Sequence, residues 1–411
     1  MNVSRLFLIP FAILTIFSCN GVTDENNSSE APIKLDLSAT ETELTGEGQI
    51  FGMDLFSAVS AENKDDDNIV ISPLSLNMAL AMVWNGANGE TKEAIQKAMG
   101  MSAYPQEEVN AYFKKLKDIL PKTDQATKLS LANSIWTRQG FAVKKSFYDI
   151  NTEWYGAKVS ELDFNSPTAP DVINQWCSDN TNGLIKEMVT SIPSDVVMYL
   201  MNALYFKGVW SDGCGFPASD TKDADFQQGN GNTIQVKMMQ QENKLPYYYD
   251  DYLTLTSLPY GNGAYRMVFI LPNGSFDSMI EQLKQPEYLS NCLKSGAVRE
   301  VNLFVPKFKL DYETKLNDPL IQMGMEIAFS DFADFSGISD IPLKISEVKQ
   351  KTYIEVNEEG TEAAAVTSVV MVPTSMPLSP PTFRADRPFL FLIQENSSGV
   401  ILFMGKIGKP V

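Results

Sequence analysis

Apolar positions along this chain change their spacing from segment to segment, and the spacing predicts the elements. Ile69-Val70-Ile71 is a short unbroken apolar run, the mark of a strand buried on both faces. Ser72 and Pro73 follow as N-cap and first helical residue, and Leu76, Ala79, Leu80 and Val83 then recur at helical spacing. Gly86 and Gly89 punctuate the end of that helix. Thr91 to Met99, closed by Gly100, predicts a second helix, and Ile50 to Ser60 predicts one ahead of both. Later the period shortens. Tyr265 to Leu271 is a continuous apolar run ending at Pro272, and Glu300 to Leu310 alternates, with Val301, Leu303, Val305 and Phe308 on the inner face. Pro388 to Gln394 and Val400 to Met404 predict two buried strands joined by the turn Asn396-Ser397-Ser398-Gly399. With no repeat and no long linker after Gln49, the pattern predicts one α+β unit with large sheets.

The first residues follow another rule. Arg5 precedes an apolar run, Leu6 to Phe17, that is too short to span a bilayer. It ends Ile16-Phe17-Ser18-Cys19, which resembles a bacterial lipoprotein signal with the lipid carried on Cys19. Residues 1–18 are therefore expected to be a signal peptide. Residues 19–47, polar and poor in aromatics, are expected to be a flexible tether, with the body from 48 to 411. This implies an extracytoplasmic protein, a lipoprotein of the outer membrane or cell surface or else a secreted one, touching membrane only through its lipid.

Charge and composition then remove functions. Fifty-one acidic against 33 basic residues give a net charge of −18, which repels nucleic acid. The chain has no histidine, which excludes Ser-His-Asp and Cys-His catalysis and every zinc site that needs imidazole. Cys19, Cys177, Cys214 and Cys292 lack CxxC spacing, so they suggest neither a metal knuckle nor a redox pair. Asp65-Asp66-Asp67 lacks the alternation of a calcium loop. Ser219 to Lys222 and Ser346 to Lys349 match SxxK without companion motifs, and no GxSxG, P-loop or dinucleotide fingerprint occurs. The expectation is a non-enzyme with no cofactor and no metal.

One stretch resists a structural explanation. After the strand-like Thr352 to Val356 come Glu358, Glu359, Gly360, Thr361, Glu362, Ala363, Ala364, Ala365, Val366 and Thr367, then a Val-rich run and Pro373, Pro377, Pro380 and Pro381. Long loops of this kind are uncommon and usually functional. Alternate residues of a strand point to opposite faces. From Thr361 one parity gives Ala363, Ala365, Thr367, Val369 and Met371, all uncharged; the other holds the only charge, Glu362. Small residues lead, and Gly360 offers a flexible pivot. The segment can enter a sheet.

This stretch resembles the hinge and reactive-centre loop of a serpin, the loop spanning about 358–384. Other segments resemble the family in its own order: Asn68 to Ser75, Met201 to Trp210, Val305-Pro306-Lys307-Phe308, and Arg387 to Lys406. The resemblance implies a large mixed central sheet, further sheets, eight or nine helices, and a monomer that inhibits serine proteases by inserting its cleaved loop. It implies a scissile bond at Thr374-Ser375, with Val372 or Met376 as alternatives, and Met371, Val372 and Pro373 as subsite residues. These are small and uncharged, which suits an elastase-like protease; a subtilisin-like or a cysteine protease is the alternative partner, and a non-inhibitory binding protein the alternative function. Ser72, Ser75, Asn202, Trp210 and Gln350 are implied to govern sheet opening, with Gln350 standing near Ser72 and Asn202 where the family often has histidine.

Overall fold

The computed structural model describes residues 31–63, 68–361 and 379–410. Two sheets carry the fold. The six-stranded central sheet runs in the order Phe308–Lys315, Lys349–Asn357, Gly360–Thr361, Met198–Val209, Lys128–Arg138, Lys158–Leu162. It is mixed: the last two strands pair parallel and the rest antiparallel. The nine-stranded sheet contains the predicted hairpin Phe389–Glu395 and Ile401–Ile407, flanked by Asn68–Ile71 and Tyr265–Pro272. Nine α-helices are found among the described residues.

The helix Pro73–Trp84 packs against both sheets, and this explains its composition. It is buried nearly all round, so it shows an apolar surface rather than a stripe, and it supplies the floor beneath the central sheet. Ser72 caps it as expected, accepting the Ser75 N–H at 3.3 Å.

Two expectations need correction. The segment assigned to a tether through residue 47 is folded from the start of the described residues onward. Leu35 lies in the core, the Leu35 N–H donates to Ser397 Oγ at 3.0 Å, and a 24-residue helix, Ala39–Glu62, replaces the shorter one expected at Ile50 to Ser60. A signal was present: Ser38 and Glu41 form a capping box. The alternating run Glu300 to Leu310 is two strands. Ala297–Pro306 belongs to the nine-stranded sheet and Phe308–Lys315 to the central one, with the chain crossing at Lys307. Alternation survives the crossing because Val305 and Phe308 are both buried, each in its own sheet.

Candidate functional site

The centre of the six-stranded sheet is closed at one end and open at the other. At the closed end Asn357 Oδ1 accepts the N–H groups of Glu359 and Gly360 at 3.0 and 3.2 Å, which turns the chain back on itself. Gly360 then pairs with Asn357 on one side and Val209 on the other, and Thr361 with Val356 and Gly208. The Thr361 hydroxyl lies 2.7 Å from that of Tyr260, whose ring stacks on Trp210 at 4.5 Å and 13°. Burial pushes the Tyr260 phenol well above its ordinary range, so it stays neutral beside Thr361. Trp210 in turn donates from its backbone N–H to Glu359 at 2.8 Å and from Nε1 to the Asn357 carbonyl at 3.2 Å.

Gly360 plays a different part from the pivot expected. A Cβ there would lie 2.2 Å from the Gly208 carbonyl oxygen, and φ is +146°, a region that favours glycine. Glycine is required because two backbones meet. The approach also depends on Gly208, where a Cβ would come 2.8 Å from the Tyr260 ring. Next to it, Glu358 anchors the turn. Burial opposes its charge, but Lys307 Nζ at 2.7 Å and Thr221 Oγ1 at 2.9 Å outweigh that and hold its carboxyl below the usual range.

Beyond Thr361 the strands Met198–Val209 and Lys349–Asn357 face each other across a cleft of about 850 Å³. Ser72, Ser75, Leu76 and Ala79 lie along it. Gln350 grips Ser72 by both backbone groups: its Oε1 accepts the Ser72 N–H at 2.8 Å and its Nε2 donates to the carbonyl at 3.0 Å. The Ser72 hydroxyl donates to the Leu402 carbonyl at 2.7 Å. Asn202 stands on the opposite wall, donating to Asn133 Oδ1 at 2.6 Å, while its own Oδ1 is buried with no partner among the described residues.

Ser72, Ser75 and Gln350 therefore come together as expected. Gln350 is not shared between Ser72 and Asn202: across the open cleft Gln350 bonds Ser72 while Asn202 donates to Asn133 and keeps its own Oδ1 without a partner among the described residues. Trp210 belongs to the closed end. Sequence reasoning missed Tyr260, Asn133 and the Lys307 and Thr221 partners of Glu358, for which no local pattern exists. Cys19, Glu362, Ala363, Ala364, Ala365, Val366, Thr367, Met371, Val372, Pro373, Thr374 and Ser375 lie outside the described residues. Cys177, Cys214 and Cys292 are free thiols, all pushed up by burial, Cys177 to about 11, so none is a thiolate nucleophile near neutral pH.

The sequence profile described as Serpin (serine protease inhibitor) matches residues 47–410. The leukocyte elastase inhibitor of Homo sapiens is 36% identical over 375 residues, covering 88% of this chain and 97% of that protein. The native-state crystal structure of a thermophilic serpin, tengpin, is 34% identical with a TM-score of 0.82, covering 93% of this chain and 97% of the other. The structure of human thyroxine-binding globulin complexed with thyroxine superposes with a TM-score of 0.82 at 28% identity, covering 91% of this chain and 100% of the other.

Proposed function

Because this chain belongs to the serpin family, we propose that it is a suicide inhibitor of elastase-like serine proteases, cut at Thr374-Ser375 and trapping its attacker by loop insertion. The half-completed central sheet carries this reading. Gly360 and Thr361 already pair with both neighbours, and the remainder of the same two strands, which no described strand joins, borders the cleft. Thr361 is buried, so the uncharged parity of Ala363, Ala365, Thr367, Val369 and Met371 is the one that follows it inward. Extending both registers one residue per step brings Thr367 opposite Asn202 on one side and Gln350 on the other. Its hydroxyl would then reach the unpartnered Asn202 Oδ1.

The mechanism is a race. The protease acylates itself on the loop; insertion then drags the attached enzyme to the far end of the sheet and distorts its active site before water releases it. New ladder hydrogen bonds contribute about 1 kcal/mol each, and burying Val369 or Met371 about 1.5–3 kcal/mol. Small uncharged residues ahead of the cut, and the lack of Lys or Arg between Gly360 and Arg384, support an elastase-like rather than a trypsin-like target. A binding protein of the same fold is the alternative, favoured by the likeness to thyroxine-binding globulin.

Incubation with leukocyte elastase separates them on one denaturing gel. Inhibition gives an SDS-stable complex, and the fraction clipped without capture melts at least about 10 °C higher than the intact chain. A gel without the covalent band, or a clipped chain with an unchanged melting midpoint, ends the proposal.

A further inference from the structure

The strand that anchors the far end of the loop points to a second contact with the protease. Thr382–Arg384 pairs parallel with Asn302 to Phe304, and the Asn302 N–H donates to the Pro381 carbonyl at 2.9 Å. The chain before Thr382 therefore arrives from the end of the strand Ala297–Pro306 at which Val298 and Arg299 sit. At that end the strand pairs with Leu245, Pro246 and Tyr247 on its inner side, and no described strand covers its outer side before Asn302.

The two faces of this tip differ. Tyr247, Tyr249 and Arg299 share one face by the strand period and register, and Val298 and Glu300 take the reverse. Tyr249 is 67% exposed, and its ring lies 6.3 Å from that of Tyr247. The Arg299 guanidinium stands 5.8 Å over the Tyr247 ring and makes no ion pair among the described residues. Tyr249 is thus exposed, Tyr247 is half-buried against the core, and the cation over Tyr247 projects from a chain of net charge −18. Tyrosine and arginine are also the residue types that dominate binding energy at interfaces.

We propose that the Tyr247–Tyr249–Arg299 face is a docking site for the body of the elastase-like protease that holds the loop, through an apolar protease surface bearing an accessible carboxylate. Five strand residues, about 17 Å, separate Ala297 from Asn302 at the root of the loop. A protease of about 230 residues has a radius of gyration of about 17 Å, so an enzyme held on the chain ahead of Thr382 is large enough to reach this face. The contact accelerates encounter and leaves insertion untouched.

The proposal rests on the inhibitory reading, and the test keeps the two apart. Leukocyte elastase is mixed with wild type, with Tyr249→Ser/Arg299→Glu, and with Val298→Ser, an equally exposed position on the reverse face. The double variant should form its covalent complex at least about tenfold more slowly, with unchanged stoichiometry of inhibition and melting midpoint, and its deficit should shrink in high salt. Val298→Ser should stay within about twofold of wild type. Equal rates for wild type and the double variant, or a matching loss in Val298→Ser, overturn the docking site while leaving inhibition intact. A wild-type dimer that the double variant dissociates assigns the face to a second copy instead. No covalent complex with wild type removes the inhibitory reading and this one with it.

Discussion

The two ends of the central cleft are built from the same pair of strands and differ in what lies between them. At the closed end, Gly360 and Thr361 satisfy Val209, Gly208, Val356 and Asn357, and behind them Tyr260 and Trp210 stack without a gap. At the open end, Gln350 turns inward to bind Ser72, Asn202 turns sideways to Asn133, and an amide oxygen is left buried with no partner among the described residues. A buried polar atom without a partner costs about 1–3 kcal/mol. The difference teaches where the fold stops short: the sheet is complete where backbone can pack on backbone, and the rest holds bonds ready to be exchanged.

Three changes test this contrast, beginning with the closed end. Thr361→Arg places a cation against Tyr260 in a site that is 3% exposed, where an unpaired charge costs several kcal/mol. The first inserted pair should be expelled and the chain should become a substrate; the stoichiometry of inhibition should rise more than tenfold. Equal stoichiometry in the variant would separate the closed end from inhibition. At the open end, Gln350→Ala leaves the Ser72 N–H unpartnered and its carbonyl with the Leu76 N–H at 3.2 Å, and should cost about 1–3 kcal/mol in chemical denaturation of the intact chain, while the clipped chain should still gain stability. A Gln350→Ala protein as stable as wild type would show that Ser72 finds other partners.

The smallest effect comes from acid. The Glu358 carboxyl sits below its ordinary range in the fold, so its stabilisation is fully present above the unfolded value near 4.3 and is lost as pH falls through the lower folded value. Lowering pH from 5 toward 3 should destabilise the wild type more than Lys307→Ala, by up to about 1 kcal/mol, because the ion pair is partly exposed. Identical acid profiles would show that Lys307 does not hold the turn.

Much of this was legible in the order of residues. Ser72-Pro73 marked the helix start, the hairpin around Asn396 to Gly399 announced itself by its turn residues, and the parity after Thr361 separated uncharged from charged positions. The capping box at Ser38 and Glu41 was equally visible, and it outweighs the polar composition that suggested a tether. These are local signals, set by one backbone's own period, caps and turns.

Other features needed the fold. Tyr260 meets Thr361 across 101 positions, Gln350 meets Ser72 across 278, and the Gly208 carbonyl excludes a side chain at Gly360 in addition to that residue's own positive φ. The residues alone determined that a small, uncharged face was available for insertion and that no imidazole chemistry could operate. Only the tertiary structure decided where the sheet closes and where it stays open, because that depends on which distant backbones approach closely enough to exclude a side chain.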